Sequence, residues 1–157
     1  MTDEEPIVNE EPTTTNDEPT VDLWISVDDV IAFHGLKPQH LNINKNDKDA
    51  DDQLAAIVTN WIIQSQDLIN MYCNRNYTSS TLRPAVQNIA LRLTSNMVKL
   101  AVQNRDSPII KVNDWTITTV PSDIFTDDLK EDLRPFIKDS STEPDSIGVL
   151  AITGSDD

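Results

Sequence analysis

Two histidines, one cysteine and two pairs of adjacent carboxylates are the side chains of this 157-residue chain that could do chemistry. His34 and His40 stand six residues apart and Cys73 lies far from both, so no interval matches the short fixed spacing of a metal site. Asp127-Asp128 and Glu131-Asp132 bring four acids together, as a general acid–base pair or a divalent cation would require. They fall at or near the start of a predicted helix, where negative charge is favourable for the macrodipole alone. His34 reads as a group near a helix cap and His40 as a loop residue. Cys73, beside Tyr72 at a helix end, reads as a small packed residue and not as a nucleophile. Three glycines leave no material for a phosphate-cradling loop. The sequence thus predicts no catalytic residue, no metal site and no cofactor, and the chain reads as a non-enzyme.

The elements that would carry these residues are mostly helical. Ser26 followed by Asp29 has the form of a capping box, with Val27, Val30, Ile31 and His34 on one face and Gly35 to close it, which predicts a short helix over 27–34. Residues 36–48 form a turn-rich loop. Asp49, Asp51 and Asp52 suit the start of a second helix. Leu54, Ile57, Val58, Trp61, Ile62, Leu68, Ile69 and Tyr72 continue it at helical spacing to 73. A third helix opens near Pro84, with Val86, Ile89, Ala90, Leu93, Met97, Leu100 and Ala101 as its core stripe, and ends by 106–108. Residues 109–112 and 115–120, around Asn113-Asp114, predict a small β-hairpin. Pro121-Ser122-Asp123 predicts a last helix through Phe125, Leu129, Leu133 and Phe136. The fold class is therefore mainly α: a bundle of about four helices, two of them long, with a hairpin between the third and fourth.

Charge divides the chain into three. Aspartate and glutamate number 27 against 12 lysines and arginines, a formal net charge of −15 that excludes a generic basic nucleic-acid binder. Residues 1–22 hold eight acids and no base, and residues 139–157 hold five acids and no base. The body, 23–138, is nearly neutral. The arm 1–22, with Pro6, Pro12, Pro19 and three consecutive threonines, cannot bury enough apolar surface to offset ordering and reads as disordered. It serves either solubility or an electrostatic role against DNA or a basic partner. The tail 139–157 carries an apolar hexad, 147–152. One cysteine permits no internal disulfide and fits a reducing compartment. No apolar run approaches the roughly 20 residues of a membrane span, and the acidic N-terminus is unlike a signal or transit peptide.

The backs of the two long helices are unusually poor in charge. From Gln53 to Asn74 only Asp67 is charged, and Ala56, Thr59, Asn60, Ile63, Gln66 and Asn70 lie opposite the core stripe. On the third helix Leu91, Val98 and Val102 form a second apolar stripe, and Arg92 and Lys99 a separate basic edge. Charge-depleted, apolar flanks mark contact surfaces. Two readings follow: short elements of the same chain cover these flanks, or neighbouring subunits do.

The order of motifs resembles a known family. A short capped helix is followed by a long one that begins Asp51-Asp52-Gln53-Leu54 and ends Tyr72-Cys73-Asn74-Arg75. After a third helix come Val112-Asn113-Asp114-Trp115-Thr116-Ile117-Thr118, Val120-Pro121 and Leu129-x-x-x-Leu133-Arg134-Pro135-Phe136. Over about 23–138 this resembles the head–tail connector (adaptor, head-completion) proteins of long-tailed bacterial and archaeal viruses. The longer acidic arm, the extended 36–48 loop and the absence of an arginine after Phe136 depart from the pattern. The resemblance implies a virion protein at the head–tail junction, assembled in the host cytoplasm. It implies a ring, usually twelvefold, of this chain beneath the portal protein, with a tail-side connector or tail terminator below. Double-stranded DNA would pass through without specific binding, and no membrane is involved.

On that reading Ile63, Asp67, Leu91, Arg92, Val98, Lys99 and Val102 are the expected subunit interface. Trp115 and Ile117 are the expected hairpin contacts toward the channel or a neighbour, a core role for Trp115 being equally open. Ile147, Val149, Leu150 and Ile152 would dock as an added strand on the portal or an adjoining subunit. The competing class is a small helical regulator or antitoxin-like binding module. The roughly ten-residue connection between the long helices argues against a hidden helix-turn-helix.

Overall fold

The computed structural model describes residues 20–106 and 115–139. They form four α-helices: α1 (Val27–His34), α2 (Ala50–Cys73), α3 (Pro84–Gln103) and α4 (Asp127–Leu133), with 3-10 turns at Pro38–Leu41 and Arg134–Phe136. Local chemistry sets the boundaries. The Ser26 hydroxyl accepts a hydrogen bond from the Asp29 amide at 3.4 Å and starts α1. Gly35 ends it at φ 56°, a left-handed conformation a glycine adopts without a Cβ penalty, as its amide donates to Ala32 O and that of Leu36 to Ile31 O. Asn74 ends α2 in the same way at φ 50°, with Arg75 N donating to Asn70 O at 3.0 Å. Asp49 makes no side-chain cap at the start of α2, so Asp51 and Asp52 act there by charge in the first turn.

α2 and α3 pack along each other, α1 rests on both, and α4 packs on α3. One core joins them. Val30 from α1, Val58, Ile62 and Ile69 from α2, Val86 and Leu93 from α3, and Leu129 and Leu133 from α4 are all buried. Trp24, Ile25, Ile124 and Phe125 enter the same core from segments outside the helices. Tyr72 meets Phe125 edge-on, with ring centroids 5.3 Å apart.

Two elements differ from expectation. Among the described residues there is no strand, and 115–120, the expected second arm of the hairpin, is a turn. Thr119 N and Val120 N both donate to Thr116 O, at 3.1 and 2.9 Å, while the Thr119 hydroxyl accepts from Thr116 N at 2.8 Å. Threonine hydroxyls that satisfy the local backbone thus override the β-propensity of a Thr-rich run. Residues 109–114 lie outside the described residues. The last helix begins at Asp127 and not at Pro121, because the amides of Ile124 and Phe125 close a turn on Pro121 O and Thr126 is extended (φ −70°, ψ 158°). The body also begins slightly early: Asp22 is already fixed to it. The acidic arm to residue 19 and the tail from 140 lie outside the described residues.

Candidate functional site

The surfaces that the sequence marks are the backs of α2 and α3, and in this chain both are partly covered: Gln66 and Val98 are buried, Ile63, Asn70, Leu91 and Val102 are half-buried, and Ala56 and Asn60 are exposed. On α2 the cover is held by carboxamides. Gln66 Nε2 donates to Asp22 O at 3.0 Å, and Gln66 Oε1 accepts from Trp24 N at 2.8 Å. Gln87 on α3 donates to Trp24 O at 2.7 Å. Together these clamp the segment 22–24 across both long helices. Gln64 donates to Trp115 O at 3.2 Å, and Asn96 donates to Ile124 O at 3.0 Å. The Asn70 carboxamide accepts from Tyr77 N at 3.0 Å. A non-helical segment laid on a helix carries backbone donors and acceptors that need partners. Gln and Asn offer both kinds on one side chain.

On α3 the cover is α1. His34 Nε2 lies 3.0 Å from Ser95 Oγ. Val98 is 2% exposed and belongs to the single-chain core, so it is withdrawn from the expected interface. Val98 shares a hollow with His34 at the end of α1 and with Leu36 and His40. Leu91 and Val102 are half-buried and packed against that core. Each lines one of two hollows, of about 280 and 320 Å³, that also include residues from the start and the end of α1.

The expected charge pairing also changes. Arg92 Nη1 meets Asp132 Oδ2 of the same chain at 2.6 Å, a half-exposed pair that ties α3 to α4. Asp67 is exposed and, among the described residues, has no basic partner. Partial desolvation raises its carboxyl above the ordinary 3.8. Lys99 is exposed, and Ile63 is half-buried. Trp115 and Ile117 are half-buried against the chain's own core and do not project as hairpin anchors. Ile147, Val149, Leu150 and Ile152 lie outside the described residues.

The side chains with chemical potential are structurally engaged. His40 Nδ1 accepts from Lys37 N at 3.2 Å. Cys73 is fully buried and its thiol is raised by desolvation, offset in part by Arg75. Lys130 pairs with Asp127 and Arg134 with Glu131, each at 3.7 Å. Among the described residues no three His, Cys, Asp or Glu side chains gather as a metal site would need, and no helix is long and apolar enough to cross a membrane.

The exposed large apolar residues that sequence reading missed are Val21, Phe33 and Met71, 56%, 72% and 48% exposed. Phe33 follows Ala32 on the outer side of α1. The signal for it was its place off the Val27–Val30–Ile31–His34 face. Compared with known families, curated proteins and solved structures, the chain matches none.

Proposed function

We propose that this chain is a structural subunit of a head–tail connector: a non-enzymatic ring protein that seats on a portal, lengthens the DNA channel and offers the tail a docking face. What supports the reading is that two of the segments that carry the resemblance fit together. Tyr72-Cys73-Asn74-Arg75 lies against Arg134-Pro135-Phe136, for Arg75 Nε donates to Phe136 O at 2.6 Å and Lys138 N donates to Cys73 O at 2.8 Å. Motifs 61 residues apart in sequence therefore act as one structural unit.

The lateral contact in such a ring is heterologous. With Val98 and Arg92 committed within the chain, it draws on what is exposed or half-exposed: Phe33, Met71, Ile63, Leu91, Val102, and the charges of Asp67 and Lys99. Exposed pairs between such charges contribute only ~0–1 kcal/mol and serve register more than affinity. The hexad 147–152 is proposed to dock on the portal or a neighbour by strand addition.

Electron microscopy of the full chain mixed with a portal protein from the same virus should show rings on the portal. Absence of any complex would overturn the reading, and specific retardation of DNA at moderate salt would favour a regulator in its place. A chain lacking 145–157 should bind the portal more weakly; undiminished capture in a pull-down removes the docking role of the hexad.

A further inference from the structure

A cleft of about 450 Å³ lies between the end of α2 and the 3-10 turn after α4. Arg75, Arg83 and Lys138 line it, with Asn76, Thr81 and Phe136 between them, and no carboxylate is among its described lining residues. In a chain of net charge −15 that is a concentration of positive charge against the prevailing sign. Arg75 is fixed in the wall by its bond to Phe136 O, and its guanidinium carbon stands 6.0 Å from the centre of the Tyr77 ring.

The acidic arm enters the body beside this cleft. Asp22 Oδ2 accepts from Ser79 N at 2.8 Å, within the turn that Thr78 and Thr81 close, and Thr81 is part of the cleft wall. Immediately upstream come Asp17-Glu18, then Glu10-Glu11 and Asp3-Glu4-Glu5, with no base among them. Four residues of extended chain cover roughly 13 Å, so Glu18 has reach from Asp22. A tethered anion of this kind acts at an effective concentration on the order of millimolar.

We propose that the arm, residues 1–19, docks its carboxylates in this cleft within the same chain. The contact is a fuzzy, charge-driven one that any more acidic partner, or high salt, displaces. This inference stands apart from the connector reading, since its test needs neither portal nor ring.

The test is a nitroxide at Thr14→Cys in the full-length, isotope-labelled protein, Cys73 being buried and out of reach of the reagent. At low ionic strength the amide signals of Thr81, Arg83 and Lys138 should lose intensity. They should recover it in about 1 M NaCl, where the screening length falls to ~3 Å. The loss should disappear in R83E/K138E and persist in R83K/K138R. Unbroadened cleft amides at low salt overturn the proposal, as does broadening that survives the charge reversal. Broadening transmitted from spin-labelled, unlabelled-isotope chains to unmodified labelled ones would assign the arm to a second copy and overturn docking within the chain.

Discussion

His34 is held at the end of α1 with one ring nitrogen on Ser95 and its surroundings against protonation. Burial lowers its pKa below the ordinary 6.5, and the charge of Lys99 lowers it further. A lowered folded-state value means that the unfolded chain takes up the proton first. The contribution of His34 is therefore present above about 6.5 and is lost as pH falls through the folded value. Thermal midpoints measured from pH 7.5 down to 5 should fall, and His34→Gln should flatten that decline. Asp67 behaves in the opposite sense. Its raised carboxyl favours the folded state below 3.8, and that advantage is lost as pH rises through the folded value. Asp67→Asn removes the cost of a partly desolvated charge, so it should raise stability at pH 7 and change little at pH 3, as urea titrations at the two pH values would read. A lower midpoint at pH 7 would mean that the carboxylate has a favourable partner.

The elements are organised by the carboxamides on the backs of the long helices. Gln66 holds both a carbonyl and an amide of the 22–24 segment, and that segment delivers Trp24 and Ile25 to the core. Gln66→Leu leaves two groups without their partner, at about 1–3 kcal/mol for each one that stays buried. Denaturant unfolding should show the loss. Hydrogen exchange should show it first at Trp24, whose amide bonds to Gln66, while the middle of α2 stays protected. The same residues explain which parts of the fold could be read from sequence. α1 and α2 were legible to the residue, because Ser26, Gly35 and Asn74 are local stop and start signals. The start of α3 at Pro84 was legible for the same reason. The cover over the backs was not, because a charge-poor helix face is equally consistent with a loop of the same chain and with a neighbour. The distinguishing signal was present in Gln64, Gln66, Asn70, Gln87 and Asn96: amide side chains pair with loop backbone, whereas subunit interfaces favour aromatics and arginine. Residues 115–120 misled through composition, as β-branched threonines can close a turn by their hydroxyls as readily as fill a strand.

For the whole molecule the consequence is that a single copy completes its own core. A solitary chain leaves no broad apolar flank on α3, since α1 occupies it. On the α1–α3 side the most exposed apolar side chain open to assembly is on the outside of α1, where Phe33 is 72% exposed. Two substitutions separate folding from association. Val98→Asp places a charge at a position only 2% exposed and should destabilise the isolated chain, because burying a charge costs several kcal/mol. Loss of rings in that variant would say nothing about an interface. Phe33→Ser removes an exposed ring instead, and surface changes of this sort usually stay within about 0.5 kcal/mol. Its circular dichroism melt should match that of the parent, and rings on the portal should be sparse or absent under the microscope. If Phe33→Ser assembles as well as the parent, α1 faces solvent or DNA in the ring, and the lateral contact passes to the Asp67–Met71 side of α2.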